Sequence, residues 1–100
     1  MARQDPTKVD PQHYSVEAEN ERVRVLRVKY GPREKSKMHS HPALVAVFLT
    51  TGRIRFTYPD GKSEEITGEA GQALLLDAVE HDPENVSDRP FEAILVELKR

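Results

Sequence analysis

Apolar residues in this chain recur mostly at every second position, the period of β-strands, whose successive side chains point to opposite faces. Tyr14, Val16 and Ala18 alternate with Ser15, Glu17 and Glu19, and Asn20-Glu21 can turn the chain into Val23 to Tyr30, a run rich in β-branched residues. The apolar phase of that run shifts at Val25-Leu26, as a β-bulge there would make it. Gly31-Pro32 ends the run, and the polar stretch Arg33 to Lys37 follows. Leu44 to Thr50 is nearly continuously apolar and reads as a strand buried on both faces. After Thr51-Gly52, the residues Ile54, Phe56 and Tyr58 alternate with Arg53, Arg55 and Thr57. Pro59-Asp60-Gly61 then supplies turn chemistry into a returning strand, Lys62 to Thr67. Gly68 and Gly71 flank another turn before Ala73 to Leu76, and Asp82 to Pro90 is loop-like in composition. The last strand, Ala93 to Leu98, places Ile94, Val96 and Leu98 on one face and the charged Glu97 on the other. No segment keeps a helical period over three turns. Many short strands separated by Gly and Pro turns predict an all-β fold, a small antiparallel sandwich or barrel.

Length and charge narrow the picture. One hundred residues, without linker, repeat or low-complexity segment, predict one domain with a modest core. The net charge is −2 and basic residues are interspersed with acidic ones, so neither nucleic acid nor an anionic membrane is an expected partner. There are no cysteines, which excludes a disulfide framework, a thiolate metal site and a cysteine nucleophile. The N-terminal residues contain no apolar signal region, and the longest apolar run, Ala43 to Leu49, is too short to span a bilayer. A cytoplasmic location is the expectation.

The candidate chemistry lies in the histidines. His39 and His41 are two apart, so a strand would present both imidazoles on one face, and His81, with Asn85 at the fourth position after it, could bring a third nitrogen from elsewhere. The glycine, proline and histidine spacing resembles that of the cupins, a family of jelly-roll antiparallel β-barrels, over about residues 20 to 99. His39-Ser40-His41 and Gly52 fall at the spacing of the first cupin motif, and Gly71, His81 and Asn85 at that of the second. Pro42, the Pro59-Asp60-Gly61 hairpin and the Glu84 to Asp88 segment also resemble small bacterial cupins. The chain departs from the family pattern in places: the glutamate that serves as a fourth ligand falls at Val45, and a family glycine falls at Arg33. Asp77 stands where proline is common, and Leu74-Leu75-Leu76 replaces bulkier aromatics.

The resemblance implies a divalent transition metal held by His39, His41 and His81, with Fe(II) favoured and Zn, Ni or Cu as alternatives. It implies a mononuclear iron dioxygenase acting on a small dicarbonyl, thiol or related acid, and a possible homodimer. Val45 and Leu75 would then wall the substrate pocket. The alternative is a small-molecule binding barrel without redox chemistry, its apolar pocket lined by Val45 and some of Leu74 to Leu76; a third reading remodels that pocket for proton transfer with Asp77 as general base, its carboxyl pKa raised by apolar surroundings. Glu80 and Asp82 read as solvated residues able to orient an imidazole, and His13 as an ordinary surface histidine.

Overall fold

A computed structural model describes residues 4–99. One helical turn, α1 (Pro6–Val9), precedes nine strands: β1 (Tyr14–Glu19), β2 (Val23–Tyr30), β3 (His39–His41), β4 (Leu44–Phe48), β5 (Gly52–Thr57), β6 (Ser63–Gly68), β7 (Ala73–Leu76), β8 (Val79–Asn85) and β9 (Phe91–Leu98). They form a five-stranded sheet in the order β1-β2-β9-β4-β7 and a four-stranded sheet in the order β3-β8-β5-β6, with every pairing antiparallel. This is the expected all-β architecture. Leu26, Val28 and Tyr30 of β2, Phe48 of β4 and Phe91 and Ala93 of β9 face Ile54 of β5 across the core, and Tyr14 closes one end.

Two glycines make room for the thickest part of that core. Gly52 and Gly68 are directly paired on β5 and β6, and a Cβ on either would collide with a ring from the opposite sheet. The ring is Phe91 for Gly52 and Phe48 for Gly68, and the two rings pack edge to face with centroids 5.4 Å apart. At the Pro59-Asp60-Gly61 turn, Gly61 takes a φ of +87°, as the turn chemistry requires.

Several expectations need correction. The phase shift at Val25-Leu26 reflects a bulge in the partner strand: β1 slips between Val16 and Ala18, while β2 runs in unbroken register with β9. The segment from Asp82 is not loop until after Asn85. Its period-two pattern survives in polar residue types, with His81, Pro83 and Asn85 pointing inward. β4 has one face in the core, while Val45 and Val47 on its other face are only half-buried. β9 is inverted relative to its reading by charge: Phe91, Ala93 and Glu97 are buried, whereas Ile94 and Val96 face outward and Leu98 is exposed.

His13 is also not at the surface. It is 7% exposed, stacks on Tyr30 with ring centroids 4.4 Å apart, and bonds Asp10 through Nδ1 (2.8 Å) and Glu34 through Nε2 (2.9 Å). Asp5 caps α1 by accepting from the Thr7 amide, and Pro6 at the start of the helix forfeits no bond, so residues 4–13 hold a defined path across one end of the barrel.

Candidate metal centre

β3 delivers His39 and His41 to the same face because they are two apart on a strand, and register places His39 directly opposite His81 of β8. All three rings are buried, at 0%, 3% and 4% exposure. They stand nearly perpendicular to one another, with centroid separations of 4.8, 5.1 and 5.2 Å. One nitrogen from each lies within 4.8 Å of the others.

Which nitrogen each ring can offer follows from what lies behind it. His39 Nδ1 is 2.8 Å from the Lys37 carbonyl, which can only accept, so Nδ1 carries the proton and Nε2 keeps its lone pair. His41 Nδ1 is 2.7 Å from a carboxylate oxygen of Glu97, so that nitrogen carries a proton. The Nε2 atoms of His39 and His81 are buried and have no hydrogen-bond partner. Burial costs an unpaired polar atom free energy, so two such atoms side by side suit a group that accepts lone pairs. Protonation does not compete with that. Burial, followed by the neighbouring His41, lowers the pKa of His39 to about 4. Burial, followed by His41 and His39, lowers that of His81 to about 2. Three imidazoles without a thiolate or carboxylate are a donor set for zinc, iron, copper or nickel, with further coordination positions left open.

The structure places the remaining sequence candidates elsewhere. Val45 lies on the outer face, paired with Val96 and Leu75, and Leu75 is 76% exposed. The residues that do wall the cavity beside the imidazoles are their neighbours Leu44, Ala46, Leu74 and Leu76. A shift of one residue exchanges the two faces of a strand, so the inward position near the expected glutamate is a methyl group, Ala46. Asp77 is exposed in the turn between β7 and β8, on a shallow cleft shared with Phe56, Tyr58, Leu76 and His81, and lacks the burial expected of it. Neither Glu80 nor Asp82 bonds an imidazole; Asp82 lies 3.6 Å from Lys35.

Sequence reasoning misses Glu97. It is 3% exposed, and besides His41 it accepts from Arg24 Nε (3.0 Å), while Arg24 Nη2 lies 2.9 Å from the same oxygen. Arg24 in turn donates to both carboxylate oxygens of Asp5 (2.9 and 3.0 Å). The only signal for it is an acid directly after the apolar run Ala93 to Val96 on the last strand. Asn85, fully buried, serves to hold the backbone: its amide nitrogen donates to the Gly31 and Arg89 carbonyls, and its oxygen accepts from Ser87.

The cavity encloses about 60 Å³, room for a few waters or a compact organic group. No carboxylate, lysine or arginine of the described residues lines it. His41 and His81 line it, as do Tyr14 and Tyr30, whose hydroxyls bond each other at 2.7 Å. Burial raises the pKa of both phenols, so they remain protonated. Phe56 stacks on His81 with centroids 4.6 Å apart.

A two-sheet antiparallel barrel with three inward imidazoles from two motifs defines a class of small β-barrel proteins. Residues 26–97 match the family described as Cupin domain. The chain belongs to the cupin family. A cupin-domain crystal structure from Bordetella pertussis Tohama I is 28% identical with a TM-score of 0.81, over 100% of this chain and 99% of that one. A cupin superfamily protein from Desulfitobacterium hafniense is 14% identical with a TM-score of 0.64, over 87% of this chain and 76% of that one. A Bacillus halodurans protein is 18% identical with a TM-score of 0.68, over 94% and 75%. No curated protein matches the chain. Among the described residues no helix is long and apolar enough to cross a membrane.

Proposed function

We propose that this protein binds a divalent transition metal, Fe(II) in the favoured reading, through His39, His41 and His81. We further propose that it is a dioxygenase for a small dicarbonyl, thiol or related acid. The observation that carries the reading is the pair of buried, unpartnered Nε2 atoms on His39 and His81, close to His41 and beside an apolar cavity that His41 and His81 line. Iron held there would supply the redox chemistry that oxygenation of such a substrate needs. The chain supplies the rest. Lys37 and Glu97 fix the tautomers of His39 and His41, and Phe56 restrains the His81 ring. Leu44, Ala46, Leu74 and Leu76 exclude water from the cavity and favour a compact, largely apolar substrate.

Metal content by plasma mass spectrometry, on protein purified without chelator, tests this against His41→Ala. Near-stoichiometric metal lost in the variant supports the reading, and an oxygen-electrode screen over small dicarbonyls and thiols follows. Wild-type protein that is empty and refuses added metal overturns it. That outcome supports a second reading, a non-redox binding barrel, which the uncharged cavity lining favours independently.

A further inference from the structure

We propose that residues 4–13 form a clamp that positions His39 and His41 for the metal, an inference that rests on the metal-binding reading above. The need for a clamp comes from topology. His81 lies on β8, which is flanked by β3 on one side and β5 on the other. His39 and His41 lie on β3, only three residues long and paired on one side alone. A short edge strand is the part of a sheet most prone to fray, and here it carries two of three ligands.

The N-terminal segment reaches that strand by three routes, one direct and two through intervening side chains. Gln4 covers its open edge: the Ser40 amide, between the two ligands, donates to the Gln4 carbonyl at 2.7 Å, and the Gln4 amide donates to Ser40 Oγ at 3.0 Å. Asp5 holds Arg24, which holds Glu97, which accepts from His41 Nδ1. Asp10, 5% exposed, accepts from Ser36 Oγ at 2.5 Å, and that hydroxyl lies 3.3 Å from His39 Nδ1. Both chains reach the far nitrogen of a ligand ring, leaving Nε2 to the centre. Outer partners of this kind fix ring orientation, and their loss typically weakens metal binding about 10–100-fold. The segment is therefore part of the metal site although it contributes no ligand.

The test compares wild type with Asp5→Asn, Asp10→Asn and the double variant, with Lys8→Ala as control, since Lys8 is exposed on the same segment. Asparagine preserves size and, at position 5, the helix cap, while removing the charge that holds Arg24. Affinity for Co(II) is measured by chelator competition, the Co(II) visible spectrum reports ligand geometry, and a urea midpoint of the metal-free protein reports folding. The double variant should bind Co(II) about tenfold or more weakly with an altered spectrum, and Lys8→Ala should match wild type. Double-variant affinity within twofold of wild type, with the same spectrum, overturns the proposal. If Asp10→Asn fails to fold, Asp5→Asn alone decides by the same criterion. Wild-type protein that binds no Co(II) fails the metal reading itself. Amide exchange of Ser40 in metal-free protein then decides the clamp: unchanged protection in Asp5→Asn overturns it, and faster exchange supports it.

Discussion

Replacing Glu97 by Gln removes one charge and almost no volume from the best-connected polar group behind the imidazoles. Glu97 now accepts a hydrogen bond from His41 Nδ1 and one from Arg24 Nε, with Arg24 Nη2 in ion-pair contact. A glutamine offers one oxygen and one amide group, so it cannot serve both neighbours. With its oxygen toward Arg24, its NH₂ meets His41 Nδ1, and the ring relieves that clash by moving its proton to Nε2, where the lone pair is needed. With its oxygen toward His41, the NH₂ faces the Arg24 fork, and buried donors oppose each other. Either arrangement loses at least one charge-assisted bond at a residue that is 3% exposed, an expected loss of about 1–3 kcal/mol in folding stability. Metal affinity should fall about 10–100-fold. Urea midpoints of the metal-free protein and chelator competition with Zn(II) measure the two effects. A Glu97→Gln protein that keeps wild-type affinity and loses less than about 0.5 kcal/mol of stability would refute the argument that this carboxylate sets the His41 tautomer.

Other parts of the molecule respond to simpler perturbations. Gly68→Ala drives a methyl into the Phe48 ring, which is buried and already wedged against Phe91, and should cost about 1–3 kcal/mol; an unchanged or raised urea midpoint would contradict that packing. Arg33 adopts a φ of +63°, and its ion pair with Asp88 is exposed, so Arg33→Gly should be neutral or stabilising by up to about 1 kcal/mol, and a clear drop in melting temperature would count against backbone strain there. The metal-free protein should weaken in mild acid. Above the ordinary histidine pKa of 6.5 folded and unfolded states are both neutral, but below it the unfolded chain takes up protons that buried His39 and His81 refuse down to about 4 and about 2. At pH 5 this amounts to about 2 kcal/mol for each histidine, and a stability profile that stays flat between pH 7.5 and 5 would show that the rings are not desolvated.

The parts of this fold that can be read from the chain are those whose cause is local. Alternation predicts β1 and β5, turn residues predict the hairpin at Pro59-Asp60-Gly61, and the two histidine motifs supply all three rings of the cluster. The misread parts have causes far away in sequence. β8 keeps a strand's period, but His81, Pro83 and Asn85 occupy its inward positions, so hydropathy cannot register it. β9 is apolar on both faces through its middle, and the charge of Glu97 suggests the wrong phase because the groups that compensate it, His41 and Arg24, lie 56 and 73 residues away. Val45 reads as a pocket residue because the family glutamate's position falls on it, and Leu75 because its apolar run carries no phase of its own; pairing across the sheet sends both outward.

The candidate site divides along the same line. Its imidazoles form motifs because three nitrogens must converge and a strand offers only a few spacings that allow it. Its supports form none, because a carboxylate or hydroxyl behind a ring needs only to arrive at hydrogen-bond distance, from any strand or loop that passes there. Asp5, Asp10, Arg24, Ser36 and Glu97 come from the N-terminal segment, β2, the β2–β3 connection and β9. A comparison confined to the histidine motifs would therefore rank two chains as equivalent metal proteins even if one lacked every residue that keeps Nε2 free. On this fold the retention of Glu97 with Arg24, and of Asp10 with Ser36, is the more demanding test of whether three histidines still make a working centre.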